Sequence, residues 1–289
     1  MNQVLEIIKN SCIEISELIR NSSSLKLSKI NDNYNLSGDN VKKLDLVANE
    51  ILKTKLEKCN LVRCIGSEEE DTLYFTKNTE APFMVCYDPL DGSSNIGVNI
   101  TTGTIFAIYE YKDNKIQDGN NIIMAGYCLF GGSTQLVVAD NKINIYQLNC
   151  KDNKFNIISE DWKIPNKGKY YAINESNKYI MSDKRYNKLT DELINLGYSA
   201  RWVASLVADA HRTLLKGGIF SYPSNNKNKN GKIRLLYEAY PFAYVFKIGC
   251  GKSSNGIISL LDVKFPENCH QKTPIILSSN EEFDLFEKL

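Results

Sequence analysis

Apolar residues near the start of the chain recur at helical spacing: Val4, Ile7, Ile8, Cys12, Ile15, Leu18 and Ile19 share one face and predict an amphipathic helix over 4–19. A second such face, Val41, Leu44, Val47, Ala48, Ile51, Leu52 and Leu56, predicts a helix over 41–56, with a polar loop at 21–35 between the two. From 61 onward the apolar residues gather in short runs rich in Ile, Val, Phe and Tyr. The runs 61–65, 83–87, 103–111, 123–130, 135–139 and 143–148 predict strands of one sheet, with turns at 112–114 and 140–141. The segment 150–169, with Pro165 and Gly168, predicts a boundary between an N-terminal α+β domain over 1–165 and a C-terminal α/β domain over 166–289. In the second half strands and helices alternate. Strands are predicted at 170–173, 219–222, 257–263 and 274–277. Helices are predicted at 188–196, 203–215 (stopped by Gly217-Gly218), 235–248 (stopped by 249–251) and 281–289.

Composition narrows the setting without naming a chemistry. Hydrophobic residues at 43% and charged residues at 24% are ordinary for a globular chain, and a net charge of +1 gives no global pull toward nucleic acid or a membrane. Any anion must therefore be bound by a local cluster. No apolar run approaches the roughly 18 residues that span a bilayer, and no signal sequence opens the chain. Eight cysteines, at 12, 59, 64, 86, 128, 150, 250 and 269, form no C-x-x-C pair. Reduced, buried thiols in a cytoplasmic protein fit this pattern better than a disulfide framework or a zinc site.

The candidate chemistry is carboxylate-rich. Asp88-Pro89-Leu90-Asp91-Gly92-Ser93-Ser94-Asn95 follows the apolar run 83–87, so two carboxylates fall at a strand's carboxyl end, with unhindered backbone N–H groups just beyond them. Alone, these are also the residues of an acidic surface turn. A second cluster, Ser67-Glu68-Glu69-Glu70-Asp71, follows the run 61–65, and the two can meet only if the sheet brings the strand ends together. Carboxylates gathered without His or thiolate select Mg²⁺ or Mn²⁺ over zinc. Lys232-Ile233-Arg234 sets two cations on alternate residues just ahead of Glu238, which suits a phosphorylated ligand beside a metal, or equally a basic loop before a helix. Gly251-Lys252-Ser253 lacks the first glycine of a P-loop, because Phe246 stands there; no G-x-G-x-x-G follows a strand, and His211 and His270 read as structural.

Taken together these pieces resemble the class I fructose-1,6-bisphosphatases. The match lies in Leu44-Asp45, Ser67-Glu68-Glu69, the block from Asp88 to Asn95, and the run 201–251. That run contains Val207-Ala208-Asp209-Ala210-His211-Arg212-Thr213-Leu214, Gly217-Gly218-Ile219-Phe220, and Lys232 to Glu238 followed by Pro241. The resemblance implies the layered α-β-α-β-α sugar phosphatase fold that the family shares with inositol monophosphatases. It implies that Glu68, Glu69, Asp88, Asp91 and Glu238, with the Leu90 carbonyl, hold Mg²⁺ (or Mn²⁺), and that Asp45 and Glu69 activate the attacking water. It further implies that Gly92, Ser93 and Ser94 cradle the departing phosphate while Arg234 balances its charge. Asn174, Tyr222 and Lys232 would hold the sugar and its distal phosphate, and Arg201 would reach that phosphate across a subunit interface of a homo-oligomer, a tetramer.

The departures from the family pattern carry expectations of their own. Relatives inhibited by AMP have a Thr-Gly-Glu-type helix start, a Lys-Tyr pair before the strand leading to the metal turn, and an Arg on the next strand. Here the chain begins about where that helix start should be, and Pro82-Phe83 and Glu110 stand at the other positions, so the usual AMP site is expected to be lost. Trp202 and Asn177 replace two tyrosines of the substrate pocket. The alternatives to a fructose bisphosphatase are a sedoheptulose-1,7-bisphosphatase, an inositol-phosphatase-like enzyme, or a catalytically silent binding protein; Arg201 and Lys232 argue for a second phosphate on the substrate.

Overall fold

The computed structural model describes residues 1–21, 39–111, 118–175, 178 and 180–289, with the backbone alone for 39–43. Most of the loop expected at 21–35, the turn at 112–114 and Asn177 lie outside the described residues. Helices α1 (Asn2–Arg20) and α2 (Asp39–Glu57) bury the stripes predicted for them, Val4, Ile8, Cys12 and Ile15 on one and Leu44, Ala48, Leu52 and Leu56 on the other. They lie on the outer face of a sheet built from β1 (Val62–Ser67), β2 (Tyr74–Phe75), β3 (Phe83–Asp91), β4 (Thr102–Glu110), β5 (Ile122–Phe130), β6 (Thr134–Ala139), β7 (Ile143–Asn149) and β8 (Lys154–Ser159). The eight strands follow the order β2-β1-β3-β4-β5-β6-β7-β8. Among the described strands of this sheet only β1 and β3 pair in parallel, which sets their carboxyl ends side by side with Ser67 opposite Tyr87. Layers on both faces explain why strands such as β4 read as nearly unbroken apolar runs rather than as alternation.

The second half supplies β9 (Tyr170–Ile173), α3 (Arg185–Asn195), β10 (Ser199–Ala200), α4 (Leu206–Lys216), β11 (Ile219–Tyr222), β12 (Ile233–Arg234), α5 (Tyr240–Ile248), β13 (Lys252–Ser254), β14 (Lys272–Thr273), β15 (Ile275–Ser278) and α6 (Asn280–Glu287). Five of these strands form a second sheet in the order β10-β9-β11-β15-β13, and β12 pairs with β14 in a separate ribbon. Val207, Ala210 and Leu214 of α4 and Phe242, Val245 and Phe246 of α5 pack between the two sheets, in one core with Ile105 and Tyr127 on one side and Phe220 and Leu277 on the other. Helices α3 and α6 cover the far face of the second sheet through Leu189, Leu193 and Phe286. The layers therefore run α-β-α-β-α, as the resemblance implied.

Several expectations need correction, each for a local reason. The strand predicted to end at residue 87 continues through Asp91. Within the segment 150–169, residues Lys154–Ser159 form an edge strand; its apolar residues Phe155, Ile157 and Ile158 are a short run within the polar stretch expected to be a boundary, and Ile157 and Ile158 stay exposed. No strand spans 257–263. The Asn255 side chain accepts from the backbone N–H of Ile257 and Ile258 in a tight local turn, a 3-10 turn follows at Leu260–Asp262, and the nearby strand is Lys252–Ser254 instead. The helix predicted from 203 starts at Leu206. The helix predicted over 235–248 is two elements, a π-helical turn at Leu235–Ala239 and then α5, with Pro241 in its first turn.

Candidate metal and phosphate site

The site begins with a miscount in β3. Asp88 lies opposite Ile105 of β4, but Asp91 lies opposite Gly103, so three steps on one strand match two on the other. This is a β-bulge at Pro89 and Leu90, where a missing N–H does no harm to the ladder. In an unbroken strand, residues three apart point to opposite faces. Residues directly opposite across a ladder share a face, and Ile105 and Gly103 share one, so the surplus residue turns both aspartates to the same side. The bulge is held by the Leu90 N–H donating to Asp88 Oδ1 at 2.9 Å and by Thr104 Oγ1 donating to the Pro89 carbonyl at 2.9 Å.

That side faces the middle layer, where the π-helical turn presents Glu238. One carboxylate oxygen from each of Glu68, Asp88 and Glu238 lies within 4.8 Å of the others, although they come from three separated parts of the chain. Asp88 and Glu238 are buried at 2% and 4% exposure, and Asp91 beside them at 8%. Burial, then the charges of Glu68, Asp91 and Glu238, pushes Asp88 well above the usual carboxylate range; burial and Glu68 do the same to Glu238, against the pull of Arg234. Asp91 is pushed up to about 6, mainly by burial, and Asp45, from α2, to about 7 by burial with Glu69 and Glu68 adding, while the Ser93 hydroxyl draws it down. Arg234 bonds Glu68 at 2.7 Å, and its own N–H donates to Glu238 Oε2 at 2.5 Å. Buried oxygen donors, crowded until they resist ionisation, with no imidazole or thiolate among them, fit a hard divalent cation.

Residues the sequence reading left without a role fix these donors. Asn49 of α2 accepts from Ser67 Oγ at 2.7 Å and Tyr87 OH at 3.1 Å, tying together the ends of β1 and β3 that carry the acids. Its amide, with Lys53, holds Glu70 at 2.8 Å, so that carboxylate is structural. Asp91 Oδ2 accepts from Ser205 Oγ at 3.2 Å and from Val207 N at 2.9 Å, at the start of α4. Gly92 follows with φ 70, where a Cβ would sit 3.0 Å from Ser205 Oγ, so the turn leading to Ser93 and exposed Ser94 needs glycine on both counts. Buried Asp209 takes the N–H groups of Val203 and Ala204, which is why α4 starts late. Asn49 and Ser205 stood in the sequence as unremarkable polar residues of helix and loop; Asp209 was visible inside the long family-like run.

A second group of residues assembles at the carboxyl ends of β9 and β11. The parallel register sets Ile173 opposite Ser221, so Asn174 and Tyr222 follow at neighbouring strand ends. Lys232 Nζ lies 5.8 Å from the centre of the Tyr222 ring, Trp202 lies 5.8 Å from the same ring, and Trp202 also stacks on Phe220 at 6.2 Å. Lys232, immediately before β12, and Arg234, within it, thus serve the two groups. Arg201 is exposed, with its guanidinium over Tyr170 and on the Ala200 carbonyl, and does not join the Tyr222 cluster within this chain.

The residues set aside as structural behave so. His211 Nδ1 bonds the Tyr127 hydroxyl at 2.9 Å, and burial lowers its pKa to about 4; His270 Nδ1 bonds Tyr237 OH at 2.8 Å. All eight cysteines are free. No helix among the described residues is long and apolar enough to cross a membrane. Phe83 and Glu110 lie directly opposite one another on β3 and β4, and the Pro82 carbonyl accepts from Tyr111 N at 2.8 Å, so Pro82-Phe83 and Glu110, two of the three departures from the family pattern, lie side by side.

Residues 1–160 match the family described as "Fructose-1-6-bisphosphatase, N-terminal domain", and residues 164–289 match "Fructose-1-6-bisphosphatase, C-terminal domain". A class 1 fructose-1,6-bisphosphatase of Persephonella marina is 41% identical over 256 residues, covering 86% of this chain and 79% of that protein. Fructose-1,6-bisphosphatase 1 of Rattus norvegicus is 38% identical over 305 residues, or 99% of this chain and 82% of that one. The crystal structure of Leishmania major fructose-1,6-bisphosphatase in its holo form matches with a TM-score of 0.90 at 30% identity, over 99% of this chain and 92% of that one.

Proposed function

Since the chain belongs to the class I fructose-1,6-bisphosphatase family, we infer that it removes the 1-phosphate of fructose 1,6-bisphosphate, giving fructose 6-phosphate and phosphate, a step of gluconeogenesis. The observation that carries this reading is the convergence of Glu68, Asp88 and Glu238 to within 4.8 Å. Divalent-metal dependence is a property of the family; in this chain Glu68, Glu69, Asp88, Asp91, Glu238 and the Leu90 carbonyl would hold Mg²⁺, with Mn²⁺ as a substitute. When bound, the ion supplies Lewis-acid stabilisation of the charge that develops on the phosphoryl oxygens.

The chain's own groups do the rest. Asp45, drawn up to about 7 mainly by burial with its acidic neighbours adding, accepts the proton of the attacking water, and Glu69 orients it. The backbone from Gly92 to Ser94 donates to the phosphate being removed. Arg234, kept cationic by Glu238 and Glu68 despite its burial, balances the phosphate's charge. Lys232, Tyr222 and Asn174 grip the sugar and its distal phosphate, which fixes the scissile bond over the carboxylates.

The same reading includes an N-terminal unit over 1–165, a C-terminal unit over 166–289, a cytoplasmic homotetramer and Arg201 reaching a neighbouring subunit's distal phosphate. Leu46 and Val47 on α2, exposed at 49% and 38%, support an assembled state, since they offer an apolar face to another copy. Glu110 opposite Phe83 supports the absence of AMP inhibition at the usual site, because a carboxylate there repels a nucleotide phosphate. The deciding experiment is phosphate release from fructose 1,6-bisphosphate, sedoheptulose 1,7-bisphosphate and inositol monophosphate with Mg²⁺. The reading requires fructose 1,6-bisphosphate to be turned over with the highest kcat/KM and Asp88→Asn to be inert; a preference for inositol monophosphate would overturn it.

A further inference from the structure

We propose that Asp209 is a positioning residue that locks the metal-binding edge and the sugar-binding edge of the site into one rigid unit; this rests on reading Asp91 as a metal ligand. Asp209 is wholly buried in the first turn of α4. Each of its oxygens lies 3.0 Å from Val203 N; Oδ2 also accepts from Ala204 N at 3.0 Å, and Oδ1 from Arg212 Nη1 at 3.1 Å. These bonds hold Ala204 at φ 65, a left-handed conformation that an L side chain avoids.

Two routes leave this anchor. The first runs forward along the chain: the turn at Ala204 aims Ser205 Oγ and Val207 N at one oxygen of Asp91, at 3.2 and 2.9 Å. With Oδ2 occupied by those two donors, Asp91 is held so that Oδ1 is left for an ion. Ser205 also closes over Gly92, leaving 3.0 Å where a Cβ would stand, and so sets the turn that presents Ser93 and Ser94. The second route runs through Arg212, whose Nη1 also donates to the Arg201 carbonyl at 3.1 Å, while Arg201 N donates to the Tyr171 carbonyl at 2.8 Å. Arg201 is thereby fixed against β9, and Trp202 next to it is seated on Phe220 and against Tyr222. One buried carboxylate therefore governs where Asp91 sits and where the aromatic wall of the sugar pocket sits.

Asparagine at this position has only one acceptor oxygen, and its amide must oppose either the Val203–Ala204 N–H pair or Arg212. Mn²⁺ titration of the substrate-free protein should show Asp209→Asn binding the ion about tenfold more weakly, in the range seen when supports of metal ligands are removed. Its KM for fructose 1,6-bisphosphate should rise several-fold. Arg212→Ala breaks only the second route, and should raise KM while leaving Mn²⁺ affinity at the wild-type value. Adding Ala204→Gly to Asp209→Asn should restore Mn²⁺ affinity but not KM, because glycine takes the left-handed turn without help while Arg212 stays unanchored. A merely structural Asp209 predicts lower thermal stability with unchanged Mn²⁺ affinity and KM, and that result overturns the proposal, as does a double variant that regains nothing. Should D209N not fold, R212A decides alone, since a wild-type KM there refutes the second route and with it the unit. Asp88→Asn is the control for the carboxylate cluster. If it keeps its Mn²⁺ site, the cluster reading falls and this proposal with it; if it loses the site while D209N binds normally, the proposal alone falls.

Discussion

Replacing Asp91 by asparagine separates what that side chain does as a hydrogen-bond acceptor from what it does as a charge. The amide oxygen of D91N can still accept from Ser205 Oγ and Val207 N, so the start of α4 keeps its partner. What disappears is a buried anion whose pKa is pushed from 3.8 up to about 6 by burial. A displacement of that size corresponds to about 3 kcal/mol. The folded value lies above the unfolded one, so between about pH 4 and pH 6 the folded state holds more protons. Metal-free wild type should therefore lose stability as pH rises through that window and carry the full cost above it. In chelator at about pH 8, D91N should be more stable than wild type by up to about 3 kcal/mol, or roughly 6 °C in Tm. At about pH 4 the difference should nearly vanish. Mg²⁺ at a hundredfold excess over its Kd stabilises a binding-competent protein by about 2.7 kcal/mol, so wild type should recover most of its deficit while D91N gains little and hydrolyses no substrate. Thermal unfolding followed by circular dichroism, with chelator and with Mg²⁺ at both pH values, tests all of this. D91N less stable than wild type in chelator at pH 8, or a gap that does not change with pH, would refute the reasoning.

Asp45→Asn should lower kcat by about 10²–10⁴ with Mn²⁺ affinity retained, and should remove the acid limb of the kcat/KM profile. In wild type that limb should lie at or below about pH 7, since Asp45 stands at about 7 and bound cations lower it, with activity falling as pH falls and the base is protonated. Lys232→Ala should raise KM for fructose 1,6-bisphosphate about tenfold, the worth of one charge-assisted contact, and change kcat little; steady-state kinetics separate the two. AMP at about 1 mM should leave the rate unchanged, because Glu110 stands opposite Phe83 where the usual site would need cations. Potent inhibition at micromolar AMP would reverse that conclusion.

Much of the site was legible because its chemistry is local in sequence: Glu68 follows an apolar run, Asp88 and Asp91 another, and parallel pairing of β1 and β3 was enough to bring them together. The direction in which Asp91 points was not legible, since it depends on pairing with Gly103 rather than on the residues around it. Asp209 could be read as a helix carboxylate but not as an anchor, because its partners Val203 and Ala204 lie in a left-handed turn that no periodicity announces. The edge strand Lys154–Ser159 is hard to read because its three apolar residues, Phe155, Ile157 and Ile158, break strict alternation and sit in a short run between Lys151-Asp152-Asn153 and Glu160-Asp161. The opposite error came from Ile257 and Ile258, an apolar pair that is 87% and 46% exposed and held by Asn255 rather than by a ladder.

The bulge at Pro89 and Leu90 makes length, not only identity, a functional property of this chain. Deleting either residue would leave every carboxylate named above encoded, yet would swing Asp91 toward α1 and α2, into a greasy layer with no ligand to meet. Point changes at Leu90 that keep its size should be forgiven, whereas shortening by one residue should be lethal to activity even if the sheet still closes.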